Sequence, residues 1–403
     1  MNILILTRII KNNSNSIYNS YSNGIFNNYP ETTTIVDYFD LYFENSKKGF
    51  EENILKIIQE KRIDLIFINF VSGDLTFDIY FLEKLSSLSY LMMNFYDSEL
   101  FFEPIDRYYA QCADLVLLPT SSDFIYNFSL LDINAISTLS LFDTKLYKNN
   151  NIKKDIDISF VGDLSKKSRK NFINYLKENG YKVQTYGTNT ENGRVDFDKM
   201  VNIFNRSKIN LNFSETIEHR SFDKLSNIDY SIIPNIVKYM KQLKGRSIEI
   251  ALCGSFTLTQ DAIGIDELFN PKEIDTFDSK ETLLKKVTYY LKNTLQREAM
   301  AEKSHLSAIN RFDATKQFQK ILNSLDLNNR KTKKIYMDES FLINYNTYHT
   351  LYLFNFLFKF KFKYFKEEFK IIQFKKIHFS TLKQHFAQQF KYQITNKYFR
   401  KNR

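Results

Sequence analysis

The chain has 403 residues with a formal net charge of +10; 43% are hydrophobic, and only 10 are Gly and 5 Pro. That length exceeds what one core usually holds, and that composition excludes an intrinsically disordered chain. Two cysteines, Cys112 and Cys253, and five scattered histidines without an HExxH pattern exclude a disulfide scaffold and a motif-built zinc site, and suit a reducing cytoplasm.

The chain opens on MNILILT, a buried-strand run. It is too short and too lacking in basic residues for a secretory signal, and no later apolar run is long enough for a transmembrane helix. A cytoplasmic protein is therefore expected. The polar stretch NSYSNGIFNNYPE follows, with Asn23 and Gly24 in a turn-forming pair. TTTIVDYFD reads as a second strand, EENILKIIQEKRI as a helix and DLIFINF as a third strand. DIYFLEKLSSL is helical and YLMMNF a strand; EPIDRYYAQC leads into the strand ADLVLLPTS, and NAISTLSLF closes the series. Alternation of this kind predicts a parallel sheet with helices on both faces over residues 1–150.

DTKLYKNNNIKKD is polar and basic without an apolar period and reads as an interdomain linker. A second alternating series fills 151–327. DISFVGD is a strand ending at Gly162, and SKKSRKNFINYLKENG is a helix stopped by Gly180. YKVQTYG, KINLNFS, SFTLTQ and PKEIDTFDS are read as strands; DFDKMVNIFNRS, RSIEIALC, KETLLKKVTYYLKN, LQREAMAEKSHLSAINRF and ATKQFQKILNSL are read as helices. Two tandem Rossmann-like domains result, an architecture that binds ligands in the cleft outside the carboxyl ends of the strands.

Four segments in this order, DISFVGD with its following helix and YKVQTYG, then FNRSKINLNFS, then KGRSIEIALCGSFTLTQ, then EIDTFDSKETLLKKVTYYLKN through SAINRF, resemble the C-terminal half of the spore-maturation CgeB-type glycosyltransferases. The resemblance covers residues 155–325. FYDSELFFEPIDRYYAQCADLVLLPT carries a looser likeness in the first half. The resemblance implies the α/β GT-B fold, two Rossmann-like domains facing a cleft, and transfer of a sugar from a nucleotide-sugar, a UDP-sugar by preference, without a permanently bound cofactor or a required metal.

The resemblance also implies site residues. EIALCG matches the segment in which a glutamate ends a helix beside the donor nucleotide, so Glu249 would accept hydrogen bonds from the ribose hydroxyls, with Gly254 allowing close helix–sheet approach. Many retaining relatives carry another glutamate eight residues earlier; here Lys241 stands there, followed by Lys244 and Arg246, which leaves the stereochemical course open. The diphosphate needs cations or backbone N–H groups to stabilise the departing charge. Arg246, Arg169 and Lys208 are the cation candidates, with Gly162 supplying a helix start, while Lys166, Lys167 and Lys170 read as a solvated helix face. Thr259 and Gln260 end a strand in the nucleotide domain and are further contacts. Asp97, just beyond YLMMNF, is the candidate general base, and His219 the alternative. Cys253 reads as a structural buried thiol. Asn23 and Gly24 would form a glycine loop beside donor and acceptor.

Residues 331–403 hold 16 Lys/Arg against 4 Asp/Glu, whereas the remainder holds 40 against 42, so the excess charge is local. Phe354 to Tyr364 alternate strictly, which fits a strand at least as well as a helix; EEFKIIQFKKIHFSTLKQHFAQQFKYQ fits an amphipathic helix. This basic aromatic extension, 328–403, suits an anionic membrane surface; a self-packed appendage is the rival, and nucleic acid the least suited partner. The function expected is transfer of a sugar to a hydroxyl of a bacterial surface glycan, glycolipid or glycoprotein. Another nucleotide-sugar enzyme on the same fold, or a non-catalytic binding protein docking through its tail, are the alternatives.

Overall fold

A computed structural model describes residues 1–9, 17–215, 241–328, 330 and 335–401, with side chains at all of these except 376 and 394–401. Two parallel sheets dominate it. The first has the order β2-β1-β3-β4-β5-β6, from β1 (Ile3–Thr7), β2 (Thr33–Asp37), β3 (Leu65–Asn69), β4 (Tyr90–Asn94), β5 (Leu115–Leu118) and β6 (Ala135–Ser137). The second has the order β11-β10-β9-β7-β8, from β7 (Ile156–Val161), β8 (Val183–Tyr186), β9 (Ser207–Asn212), β10 (Thr257–Gln260) and β11 (Asp275–Phe277). Every strand pairing in both is parallel. These are the two Rossmann-like α/β domains of a GT-B fold, as expected.

Because both faces of a doubly wound sheet are covered, the central strands of the first domain, β1, β3, β4 and β5, are nearly continuous apolar runs. Leu4, Leu6, Ile66 and Ile68 enter one core of the first domain, while Ile3, Ile5, Leu65 and Phe67 enter the other. Period-two alternation thus sorts consecutive residues between two cores. The second domain repeats this with Ile158 and Phe160 on one side and Val161 on the other.

The helices that matter below are α1 (Ile17–Phe26), α2 (Tyr38–Lys61), α3 (Ile79–Leu88), α4 (Ser122–Ser129), α5 (Lys167–Glu178), α6 (Phe197–Arg206), α7 (Arg246–Leu252), α8 (Lys280–Lys292), α9 (Thr294–Arg311), α10 (Ala314–Ser324), α11 (Glu339–Phe358), α12 (Phe362–Ile371) and α13 (Phe379–Lys401). Three readings from sequence are corrected by them. Asn23 and Gly24 lie inside α1 and form no loop. Gly24 is where α1 touches α10: a Cβ there would sit 2.8 Å from the Phe318 ring and 3.0 Å from Ala314. The α10 helix, though read with the second domain, places Phe318 and Leu322 in a core of the first beside Tyr21 and Phe67. An amphipathic helix has an apolar stripe but no label saying which core it fills.

The third correction concerns the tail. Phe354, Phe356 and Phe358 belong to α11 and not to a strand. The helix is apolar on several sides because it is buried on several sides. Phe341, Tyr345, Tyr352 and Phe356 join a core of the first domain, and other residues contact α12 and α13. His349 Nε2 lies 3.0 Å from the Leu75 carbonyl oxygen, and the Tyr348 hydroxyl donates to Asp74 at 2.8 Å. Among the described residues, no helix is long and apolar enough to cross a membrane.

Candidate active site

The cleft forms at the carboxyl ends of β7 and β9, where the second sheet's strand order reverses. Its volume is about 1000 Å³. Val161, Gly162 and Asp163 leave β7 at one wall, Asn212 and Phe213 end β9 at the floor, and Lys244 to Glu249 form another wall.

Gly187, at φ +123°, is required by crowding, since a Cβ there would lie 2.1 Å from the Gly162 oxygen; a Cβ on Gly162 would lie 2.7 Å from the Phe160 ring. Two glycines therefore let the β7 and β8 turns meet at the rim. Asp163 Oδ1 accepts from Ser165 N at 2.8 Å and from its hydroxyl at 2.6 Å, which turns the chain into α5. Lys166 and Arg169 follow at that helix start. Lys166 is 4% exposed, so it does not belong to the solvated face with Lys167 and Lys170. Its Nζ donates to the Glu215 carbonyl at 2.9 Å, and Arg169 donates to the Glu215 and Asp163 carbonyls at 3.2 Å each. The Nε of Arg169 is buried without a hydrogen-bond partner. Burial, together with Arg169 and Lys244, pushes the Lys166 ammonium down to about 7. Burial likewise lowers Arg169 and Lys244.

Glu249 stands on the first turn of α7. Its Oε2 lies 2.7 Å from Arg246 Nη1, and its Oε1 accepts from the Tyr147 hydroxyl at 2.8 Å. A carboxylate has about four lone-pair sites, so two hydrogen bonds leave capacity for further donors. Burial and the adjacent Glu249 charge push the Tyr147 phenol well above its usual range, which keeps it a donor. Arg246 is further held over the Phe204 ring at 5.5 Å. Tyr147 comes from the segment read as a featureless linker. That segment is packed: Tyr147 lies in a core of the second domain, with Leu146 against it. The only hint in the sequence was one aromatic residue in a polar run.

The first domain approaches this cleft at Lys244. Asp97 follows β4 in the left-handed region, at φ 54°. It accepts from Ser72 Oγ at 2.8 Å and lies 3.7 Å from Lys244 Nζ. The Gln242 side chain donates to Glu99 at 2.8 Å and accepts from Lys244 at 2.7 Å. Asp106 ends a π-helical turn (Phe102–Asp106) just beyond. Burial raises its carboxyl to about 8, with Ser98 Oγ donating to it at 2.6 Å.

Several expected residues sit elsewhere. Lys208 is at the amino end of β9, opposite the cleft, and pairs with Asp157 at 2.6 Å near the surface. Its place at the strand start puts the whole strand between it and the site. Gly254, at φ +65°, terminates α7 on the far side, where a Cβ would lie 2.2 Å from Asn149. Ser255 N completes that helix stop by donating to the Ile250 carbonyl at 3.2 Å. Thr259 and Gln260 are buried behind the cleft. Thr259 accepts from Asn212 at 2.8 Å, and the Gln260 amide oxygen accepts from the Ser214 and Glu215 N–H groups at 3.2 and 3.3 Å. They hold the strand end whose Glu215 carbonyl receives Lys166 and Arg169. Burial raises the Cys253 thiol, in keeping with a structural role. His219 lies outside the described residues. Among the described residues, no group of three or more His, Cys, Asp or Glu side chains is placed to hold a metal ion.

Comparison with known proteins bears on this geometry. Residues 167–323 match the family model described as Glycosyl transferase-like. Comparison with curated protein sequences finds no match. Among solved structures, the chain is similar to HepE from Anabaena in complex with UDP and glucose, at 14% identity and a TM-score of 0.56, over 81% of this chain and 100% of that one. It is also similar to a glycosyltransferase from Rickettsia africae, at 11% identity and a TM-score of 0.54, over 80% of this chain and 97% of that one. The second domain thus carries a glycosyl transferase-like match, and the two domains together have the GT-B fold.

Proposed function

We propose that the chain transfers a sugar from a nucleotide-sugar to an acceptor hydroxyl. The observation that carries this reading is the convergence of Arg169, Lys244 and Arg246 with Glu249 on one cleft at the strand carboxyl ends, with Lys166 buried close to Arg169 and Lys244. Glu249, steadied by Tyr147 and Arg246, accepts from the ribose hydroxyls. Arg169, Lys244 and Arg246 face the diphosphate, and Lys166 adds its charge from behind them. As the bond from the sugar to the diphosphate breaks, negative charge grows on the leaving group, and fixed cations in a partly buried cleft stabilise it without reorganising. Asp97 of the first domain takes the acceptor proton as the new glycosidic bond forms.

A UDP-sugar is the preferred donor, supported by the likeness to a protein solved with UDP and glucose. The CgeB-type assignment rests on the four ordered segments. The acceptor class proposed is a hydroxyl of a bacterial surface glycan, glycolipid or glycoprotein.

The test is nucleotide release from a panel of UDP-, GDP-, CMP- and dTDP-sugars by the wild type, Glu249→Ala and Arg246→Ala. Release from one donor, lost in both variants, is the expected result. Absence of both release and nucleotide-induced thermal stabilisation across the panel would overturn the assignment.

A further inference from the structure

The helix α12 has the sequence FKYFKEEFKI, with three lysines and two glutamates. Its fold separates those charges. Glu368 is fully buried, where it pairs with His349 and accepts from the Tyr42 hydroxyl at 2.9 Å. Glu367 turns to the Ser46 hydroxyl of α2. Tyr364, Phe365 and Ile371 pack inward on the first domain's core. The outer face therefore keeps the three lysines, Lys363, Lys366 and Lys370, all exposed, and neither acid.

Apolar surface lies among them. Phe362 is 55% exposed and Phe369 is 52% exposed, and Phe360, in the turn just before, is 71% exposed at φ 56°. Phe362, Lys366 and Phe369 are spaced i, i+4, i+7, so they form one stripe. The start of α13 also exposes Phe379, at 80%, and Lys383. Exposed phenylalanines beside lysines, with the acids turned inward, make a face both apolar and cationic.

We propose that this outer face of α12, with the turn at Phe360 and the start of α13, docks on an anionic lipid surface. The phenylalanines enter the headgroup boundary and the lysines meet lipid phosphates. The helix α11 and the inner face of α12 pack on the first domain, so docking would hold that domain, and Asp97 within it, at a membrane. The inference stands on the tail alone and is independent of the donor-site reading.

Sedimentation with vesicles tests it on the full chain. Wild type is expected to bind phosphatidylglycerol-containing vesicles, to bind pure phosphatidylcholine poorly, and to lose binding with added salt. Lys363→Gln/Lys366→Gln/Lys370→Gln and Phe360→Ser/Phe362→Ser are each expected to weaken vesicle binding by about tenfold or more. Both should retain the wild-type melting temperature, since the altered side chains face solvent. Three results would overturn the proposal: no vesicle binding, binding unchanged in both variants, or oligonucleotide binding in place of vesicle binding. A dimer in sedimentation velocity that these substitutions dissolve, without vesicle binding, would assign the face to a second copy of the chain instead.

Discussion

Lys244 Nζ of the second domain lies 3.7 Å from Asp97 Oδ1 of the first, so a cleft-lining cation meets the first domain through an opposite charge. Lys244 also donates to Gln242, whose amide reaches Glu99. A phosphate entering the cleft competes with Asp97 for Lys244. Asp97→Asn removes the proposed base while keeping the side chain's size. It is expected to reduce transfer by roughly 10²-fold or more, with nucleotide affinity changed only a few-fold. Lys244→Met is expected to weaken nucleotide binding instead. Parallel measurement of transfer rate and nucleotide Kd separates the roles; equal losses in both quantities for Asp97→Asn would remove it as base.

The second prediction concerns the ribose. Glu249→Gln replaces an acceptor-only carboxylate with a group that is half donor. Nucleoside diphosphate binding is expected to weaken by about ten-fold or more, in line with a charge-assisted hydrogen bond. Inorganic pyrophosphate, which has no ribose, should lose far less. Calorimetry with both ligands on wild type, Glu249→Gln and Tyr147→Phe checks this, with Tyr147→Phe intermediate because Arg246 still holds the carboxylate.

Lys166 supplies the pH dependence. Its ammonium is pushed down to about 7 in the free protein, whereas an unfolded lysine titrates near 10.4. Between those values the unfolded chain binds the extra proton, so this group favours folding increasingly as pH rises from about 7 toward 10. A bound diphosphate favours the charged form and restores the proton. Nucleotide binding above pH 7 is therefore expected to take up protons, and affinity to fall as pH rises. Calorimetry in buffers of different ionisation enthalpy measures the uptake. Lys166→Met should reduce it; unchanged uptake in that variant would assign it to other groups.

Glu368 tests whether the tail is integral to the first domain. It and His349 are both fully buried, on α12 and α11, and Tyr42 of α2 donates to the same carboxylate. Glu368→Ala leaves a hole and unpaired polar partners. The expected cost is about 3–5 kcal/mol, read as a lowered melting temperature of the whole chain. An unchanged melting temperature would show that the tail is held by apolar contacts alone.

The two α/β halves were legible in the chain, since the central strands are apolar runs and helices carry their period openly. Glu249, Arg246, Arg169 and Gly162, singled out through the ordered segments, line one cleft. The sequence by itself could not determine which distant pieces share a core or a cleft. Tyr147 reaches Glu249 across 102 positions, and α10 returns to the first domain, because neither contact alters local periodicity. Lys166 looked like its neighbours in KKSRK, yet only that lysine turns inward. Lys208 and Gln260 are polar residues in strands, and only the strand's direction and sheet order say which end faces the cleft. The same holds for α12. Its composition is a modest mix of charges, and folding alone buries Glu368, turns Glu367 inward and leaves the lysines outside. Local sequence sets what a segment can become, whereas the sign and placement of charge at a surface depend on which side packing takes away from water.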